Sequence, residues 1–381
     1  MKLVIHDLND KEWKKISHEY ENWEIVSDNG TILPCYGCFR CWTKDPGQCL
    51  LNDDYCRMGY LVHHADEVKV ISRYTYGGFS GSVKNIFDRC LGFVLPQLEL
   101  VDDESHHFKR YPEDKPFSFV FYGNDLNDNE KNAAERYVNS VMKNFRGHVK
   151  SIVFENKELP VSNDNREYVN NEDRTVLVNG SMRGDKAYSL KFAGLLKKRL
   201  NKNAEIINIH KYINDLTDLY EEIKNASTIV ICTPLYVDNL PSQVVRLLEI
   251  FERSYSGDPK NIYLVANMGL YESRQLVNLF EAVRQWSDKM DFRYGGGLGI
   301  SAGELIGVLV DFLPFGKWPT KEICKGMNEL AEAINGNKTT EDIYTEPKGF
   351  PRWLYMQIAN RNWNNIARAN GIDPKDMLRQ L

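Results

Sequence analysis

Basic residues are not in excess in this chain. With 48 Lys and Arg against 53 Asp and Glu the formal charge is −5, so the electrostatic footprint of a nucleic-acid binder is missing. Long apolar runs are missing too. The greasiest stretch, residues 305–315, is broken by Asp311, whereas a membrane span needs about 20 consecutive apolar residues. A secretory leader is not expected either, because MKLVIHDLNDKEWKK meets charge after a few apolar residues and reads as a first strand. The eight cysteines are therefore expected in a reducing, cytoplasmic setting, where thiols bind metal or stay free.

What is present is an ordinary globular composition, 42% hydrophobic and 27% charged over 381 residues, enough for two domains with full cores. Apolar strand patterns at residues 1–6, 23–26, 65–72, 117–122 and 149–154 alternate with helical ones at 11–20, 82–91 and 129–145. A polar, aperiodic stretch, 156–173, reads as a linker. The pattern then restarts. Strands are expected at 175–179, 205–209, 228–233, 262–267 and 294–299, with helices at 186–200, 216–225, 242–253 and 273–290. Such alternation predicts an α/β fold of two tandem flavodoxin-like domains, each a doubly wound five-stranded parallel sheet, plus a helical C-terminal tail. The expected boundaries are 1–155, the linker 156–173, 174–335 and the tail 336–381.

The restart also reads as an internal repeat. ADEVKVISRYTYGGFSGSVKNIFDR at residues 65–89 lies without gaps on ASTIVICTPLYVDNLPSQVVRLLEI at 226–250. In the tail, Trp353, Met356, Trp363 and Ile366 fall near one helical face, with Pro351 at the start and Gly371 at the stop.

The stretch with most chemistry is RTVLVNGSMRGDKAYS, residues 174–189: strand, Gly-Ser loop, helix. It places backbone N–H groups, a Ser hydroxyl and an Arg at a helix N-terminus, where an anion is favoured. It ends in no Gly-Lys-Ser/Thr, and no G-x-G-x-x-G follows the strand, so it is neither a Walker loop nor a dinucleotide fingerprint. The matching loop of the first half, Asp7-Leu8-Asn9-Asp10, has no Gly, Ser or Arg, and its carboxylates would repel a phosphate.

VNGSMRGDKAYS followed by CTPLYVDNLPSQVVRLLE resembles the NADPH-dependent FMN reductase family of flavodoxin-like proteins. The resemblance implies that Ser181, Arg183 and Ser189 hold the FMN phosphate. Pro234, Leu235, Tyr236, Val237 and Asn239 would line the isoalloxazine ring, and Asn267, Met268 and Gly269 would face its pyrimidine edge. In the first half, Ser72, Tyr74, Tyr76, Gly77 and Gly78 would form a second ring-side loop, with Arg73 where the other half has Pro234.

A second resemblance lies in CYGCFRC followed by Trp, Pro-Gly and a fourth Cys, which is similar to the cysteine stretch of iron–sulfur flavoproteins. Cys35, Cys38, Cys41 and Cys49, spaced C-x2-C-x2-C-x7-C, would hold a [4Fe-4S] cluster. A zinc ion and free or redox-active thiols stay open as alternatives.

The function these resemblances imply is an FMN-dependent oxidoreductase. It would take a hydride from NAD(P)H and pass electrons to a small-molecule or protein acceptor, through the cysteine centre where that centre holds a cluster. The first half would supply the cysteine centre and the second the FMN, with no general acid or base. No nucleic-acid or membrane partner is expected, and pairing into a homodimer is in keeping with the family. Two rivals stay open: a flavin and iron–sulfur electron carrier without NAD(P)H turnover, and a non-catalytic flavodoxin-like interaction protein. Other notable residues have structural readings. His106 and His107 with Arg110 read as an exposed loop, His63 and His64 as a helix end, Asp53 and Asp54 as caps of the following helix, and residues 295–297 as a turn. Cys56, Cys90, Cys232 and Cys324 read as small hydrophobes.

Overall fold

Val176, Leu177 and Val178 are at most 1% exposed, as are Leu3, Val4 and Ile5; such unbroken apolar runs mark strands covered on both faces. They head two parallel sheets in the computed structural model, which describes residues 1–159, 166, 168–201 and 203–380. The chain forms two compact units, Met1–Pro160 together with Met356–Leu381, and Val161–Tyr355.

The first unit runs β1 (Lys2–His6), α1 (Asp10–Ile16), β2 (Trp23–Ser27), α2 (Arg40–Thr43), α3 (Met58–His64), β3 (Glu67–Thr75), β4 (Gly78–Phe79), α4 (Gly81–Arg89), β5 (Val94–Val101), β6 (Glu104–Lys109), β7 (Pro116–Gly123), α5 (Asp128–Phe145) and β8 (His148–Asn156). Helices start where capping chemistry dictates. Asn9 with Glu12 and Asn127 with Glu130 form reciprocal capping boxes at α1 and α5. The parallel strands pair in the order β2-β1-β3-β7-β8, the 2-1-3-4-5 arrangement of a flavodoxin-type sheet. Two features depart from the expected pattern. Residues 94–109 form an antiparallel hairpin, turned at Asp102 and Asp103, both at positive φ, and Asp-Asp is a weaker hairpin signal than Asn-Gly. The stretch from Arg73 to Gly78 is no open loop: β3 and β4 pair as a hairpin, with Tyr76 and Gly77 at its turn.

The second unit runs β9 (Tyr168–Val169), β10 (Glu172–Asn179), α6 (Tyr188–Lys197), β11 (Ala204–Asn208), α7 (Leu216–Ile223), β12 (Ala226–Pro234), α8 (Ser242–Ser254), β13 (Ser256–Gly257), β14 (Asn261–Asn267), α9 (Val277–Lys289), β15 (Arg293–Ile300), α10 (Gly303–Phe312), α11 (Lys321–Asn335) and β16 (Ile343–Thr345), and helix α12 (Arg352–Ala369) follows. Its sheet has the order β11-β10-β12-β14-β15-β16, again 2-1-3-4-5, with a sixth strand contributed by the stretch read as the polar start of the tail. Its core gathers Phe192, Leu196, Tyr263, Val265, Ile306, Met327 and Leu330. Residues 295–297 are strand rather than turn, and their glycines answer to packing: a Cβ on Gly295 would come within 2.2 Å of the Tyr263 ring. Of the expected linker, residues 160–165 and 167 lie outside the described residues, and its end already pairs as β9 and β10. In α12, Tyr355, Trp363 and Ala367 are buried, while Trp353, expected on the apolar face, is 62% exposed. No helix among the described residues is long and apolar enough to cross a membrane.

Candidate functional site

At the carboxyl edge of the second sheet, β10, β12 and β14 are neighbours, and strand order reverses about β10, the place where doubly wound sheets bind ligands. Apolar strands end there in polar residues: Asn179, Thr233 and Asn267. Asn179 organises the first loop. Its Oδ1 accepts the Ser189 hydroxyl at 2.7 Å and the Ser181 N–H at 3.3 Å, and its Nδ2 donates to Asn208 at 2.7 Å. Ser181 in turn accepts the Arg183 N–H at 3.3 Å. Gly184, at φ +57°, lies so close to His210 that a Cβ would fall 2.6 Å from Nε2, so only glycine fits this bend. The Arg183 guanidinium is partly exposed and sits 3.6 Å from Glu304 in the first turn of α10. Burial pushes the Glu304 carboxyl up and Arg183 opposes that shift.

The second loop is a tight turn in which Tyr236 and Asn239 exchange backbone hydrogen bonds of 2.9 and 3.1 Å. Val237 and Asp238 both hold positive φ, +42° and +58°, which is rare for a β-branched residue and marks stored strain. Pro234, Leu235, Tyr236 and Val237 are partly exposed, while Asn239 is buried and accepts the N–H of Leu240. The Leu235 N–H donates to Asn267 O at 2.8 Å, tying the second loop to the third. In that third loop the Asn267 side chain is buried, and its Oδ1 has no hydrogen-bond partner among the described residues. Met268 is buried and Gly269 exposed, with no heavy atom within 4 Å of where its Cβ would stand. The Gly269 carbonyl accepts the hydroxyl of Tyr355, whose ionisation is pushed up by burial and by Glu304 and Glu272.

The residues expected beside a flavin in this unit thus cluster at the ends of the adjacent strands β10, β12 and β14, in the loops that follow and, for Ser189, in the first turn of α6. They divide by role. Ser189 and Asn239 are hydrogen-bonded within the protein, Arg183 and the turn at 234–237 are partly exposed, and the Asn267 amide is buried with its Oδ1 unpartnered among the described residues. Asn179, Glu304 and Tyr355 were not singled out in the sequence. Asn179 was legible as a polar end to an apolar strand. Glu304 and Tyr355 come from more than 100 residues downstream of Arg183 with no local signal.

The first sheet's carboxyl edge is filled instead. Asp7 N–H donates to Ile71 O just as Gly180 N–H donates to Cys232 O, so Asp7 stands where the second unit has Gly180. Its carboxylate accepts the Arg73 N–H at 2.9 and 3.2 Å and the Tyr122 hydroxyl at 2.9 Å. Burial raises its pKa although Ser80, Arg73 and Tyr122 pull the other way. His6 stacks on Trp13 at 3.9 Å, with its pKa lowered to about 4 by burial. The ring-side loop expected here is closed, because Tyr74 and Tyr76 are buried in the unit's own core.

The cysteine loop folds back on the segment after α4. Trp42 Nε1 donates to Leu91 O and Val94 O at 2.9 and 2.8 Å, and Gly47 packs so close to Gly92 that a Cβ on the latter would lie 2.8 Å from Gly47 O. Cys35 Sγ accepts the Gly37 N–H at 3.4 Å. Burial pushes Cys35 to about 12, and Asp88, Cys49 and Cys38 add to the shift. Cys41 is raised by burial and then by Cys35, Cys49 and Cys38. The four thiols therefore stand within electrostatic reach of one another. Among the described residues no three His, Cys, Asp or Glu side chains converge closely enough to ligate one metal ion.

Three structural expectations are corrected here. Asp53 caps no helix: it takes both ends of Arg89 at 2.7 and 2.8 Å and the Leu33 N–H at 3.0 Å, since a buried guanidinium needs a counterion. His106 is no exposed loop residue but is 2% exposed on β6, with Nδ1 2.6 Å from Asn144 Oδ1. Cys56 and Cys324 are only partly buried, unlike Cys90 and Cys232.

No family model matches the chain, and no curated protein matches it. Solved structures resemble parts of it. A flavone reductase is 13% identical over 48% of this chain and 70% of its own, with a TM-score of 0.33. Azoreductase AzrA is 14% identical over 43% and 99%, at 0.29. An FMN-dependent NADH-azoreductase from Bacillus anthracis, solved in complex with FMN, is 13% identical over 42% and 99%, also at 0.29. The fold assignment rests on the strand order described above.

Proposed function

We propose that the second unit binds one FMN at the carboxyl ends of β10, β12 and β14, and that the chain is an NAD(P)H-dependent flavin oxidoreductase. The observation that carries this reading is Asn267: a buried side-chain amide with an unspent acceptor, placed between the strained turn at Val237 and the open backbone at Gly269. Leaving such an acceptor unpaired costs about 1–3 kcal/mol, and a flavin's ring N–H is a donor of the right kind. Arg183 and Ser181 would meet the phosphate, and Tyr355 would fix the Gly269 carbonyl. Bound FMN would supply hydride acceptance and one- or two-electron delivery; the protein orients it and sets its electrostatics. In the first unit the Asp7 carboxylate takes the donors an anion would need, which favours a single flavin per chain. The cysteine loop we read as a thiolate-held metal centre, a [4Fe-4S] cluster by its donor set.

The test is the FMN content of the purified full chain beside a Ser181→Ala, Arg183→Ala double variant and Asn267→Ala. About one FMN per chain, with loss in the double variant and weaker binding in Asn267→Ala, supports the assignment. Two FMN per chain, or unchanged content in the double variant, overturns it. Rapid bleaching of the flavin band by NADPH or NADH separates the oxidoreductase from a carrier reduced only by another protein.

A further inference from the structure

We propose that Glu304 is a positioning residue that gates the anion site of the first loop: its carboxylate holds the Arg183 guanidinium and competes for it with an entering phosphate. Glu304 thereby sets how strongly the second unit prefers a phosphorylated flavin to the same ring without phosphate. The inference rests on the reading of Arg183 as a phosphate ligand, and it adds what controls that ligand.

Packing brings Glu304 to the loop. It lies in the first turn of α10, whose start is tied to the third loop by the Ala302 N–H on Leu270 O at 2.8 Å and the Gly303 N–H on Met268 O at 2.7 Å. Further along, α10 lies against α6. Lys191 Nζ donates to Gly307 O at 2.6 Å, and a Cβ on Gly307 would stand 2.1 Å from the Tyr188 ring. So fixed, the helix presents the Glu304 carboxylate 3.6 Å from Arg183 Nη1.

The pair is loose. At 3.6 Å it is an ion pair without a hydrogen bond, and its side chains are 30 and 31% exposed. A permanent clamp in the same chain looks different: Asp53 takes both ends of Arg89 at 2.7 and 2.8 Å, with the two side chains almost wholly buried. A partly exposed contact beyond hydrogen-bond reach is given up at little cost. When Arg183 turns to another anion, the carboxylate keeps a favourable place, because among the described residues no side chain caps α10 at Ala302 and its first-turn N–H groups favour an acid. Neighbouring charges do not replace Arg183. Lys191 pairs with Asp311 at 2.6 Å and Glu272 with Arg352 at 3.1 Å, while burial keeps the Tyr188 and Tyr355 hydroxyls neutral. Burial also pushes the Glu304 carboxyl up, and Arg183 is the charge that opposes it. A phosphate at Arg183 brings a second anion to the same guanidinium, and like charges that close favour the neutral acid. Binding then takes up a proton at Glu304, so affinity is greatest below the ionisation of Glu304 in the free chain and declines as pH rises to that in the complex.

The experiment titrates the full chain with FMN and with riboflavin, follows the flavin fluorescence across acidic to neutral pH, and compares the wild type with Glu304→Gln, Glu304→Ala and Arg183→Gln. At neutral pH Glu304→Gln is expected to bind FMN about 5-fold more tightly than the wild type. The gain shrinks as pH falls, and riboflavin binding stays unchanged. The second ionisation of the FMN phosphate, at about 6, is common to all the proteins and cancels in the ratio. Glu304→Ala removes the same carboxylate and is expected to agree, so either variant decides. If Arg183→Gln weakens FMN binding but the Glu304 variants leave it unchanged, weaken it, or tighten riboflavin equally, Glu304 is no gate and the inference alone is overturned. If the wild type binds no FMN, or Arg183→Gln binds it as well as the wild type, the phosphate-ligand reading fails and takes the inference with it.

Discussion

The Asp7 carboxylate grips the backbone N–H of Arg73, at 2.9 Å from one oxygen and 3.2 Å from the other. The two positions correspond to Gly180 and Pro234 in the second unit. There the first residue has no side chain and the second no N–H. Donor and acceptor have therefore changed together: one unit carries both, and the other carries neither and leaves the space to the loop. A single-residue view would record a lost glycine and a lost proline. The pair shows a carboxylate and a backbone N–H that satisfy each other within the chain.

Asp7→Asn is expected to change the pH dependence of the first unit. The folded pKa of Asp7 is raised above 3.8 by burial, so between 3.8 and that raised value the folded state binds more protons than the unfolded one. Stability attributable to this group is then greatest at low pH and falls as pH rises through the window. Denaturant midpoints measured across acidic to neutral pH will show this slope in the wild type and lose it in Asp7→Asn; an unchanged slope refutes the assignment.

Lys260 gives the opposite sign in the second unit. It is buried and donates to Asn171 Oδ1 at 2.6 Å and to Ala226 O at 2.9 Å, and its pKa is lowered from 10.5 to about 7, mainly by burial. Between those values the unfolded chain holds the extra proton, so stability rises with pH across that range. Lys260→Met removes the rise, and unfolding monitored near neutrality and near the upper limit distinguishes the two proteins.

Gly180 and Gly269 make a contrasting pair. A Cβ at Gly180 would come within 2.6 Å of Val244 Cγ2 and 2.9 Å of Thr233 Oγ1, while one at Gly269 meets nothing within 4 Å. Gly180→Ala is expected to cost about 1–3 kcal/mol through overpacking, and Gly269→Ala to stay within about 0.5 kcal/mol of the wild type. Equal denaturant midpoints for the two variants would contradict the geometry.

Trp363 holds the cysteine loop from the C-terminal side. Its ring meets Phe39 and Trp42 edge-on at 5.1 and 5.3 Å, and Asn370 donates to the Thr43 hydroxyl at 3.0 Å. Trp363→Ala is expected to destabilise the first unit by about 3–5 kcal/mol. Faster alkylation of Cys41 than in the wild type, read by mass spectrometry, is the local sign that the loop has loosened.

Local signals were legible in the sequence and distant ones were not. Strand cores such as residues 175–179 and helix starts such as Asn127 with Glu130 declare themselves within a few residues. Where residues 65–89 align with 226–250, the positive-φ turns at Tyr76-Gly77 and Val237-Asp238 fall at matching positions, as do the starts of α4 and α8. The hairpin at residues 94–109 escaped because β6, ESHHFK, is polar and its turn is Asp-Asp. The candidate site followed the same division. Its three loops could be read from the strand ends, but the Asp53–Arg89 pair, the carbonyls around Arg110 and the Tyr355 hydroxyl on Gly269 join residues far apart in the chain, and no periodicity encodes them.

The first unit is closed by residues from both ends of the chain, since Met356–Leu381 belongs to it along with Met1–Pro160. Synthesis therefore delivers its parts at two separate times. At 5–20 residues per second, the stretch between Pro160 and Met356 takes about 10–40 s to emerge, and throughout that interval Trp42 lacks Trp363 and Arg110 lacks the carbonyls of Met377 and Arg379. The second unit has all of its residues before the first has its last ones, so on the ribosome the order of completion runs against the order of the sequence.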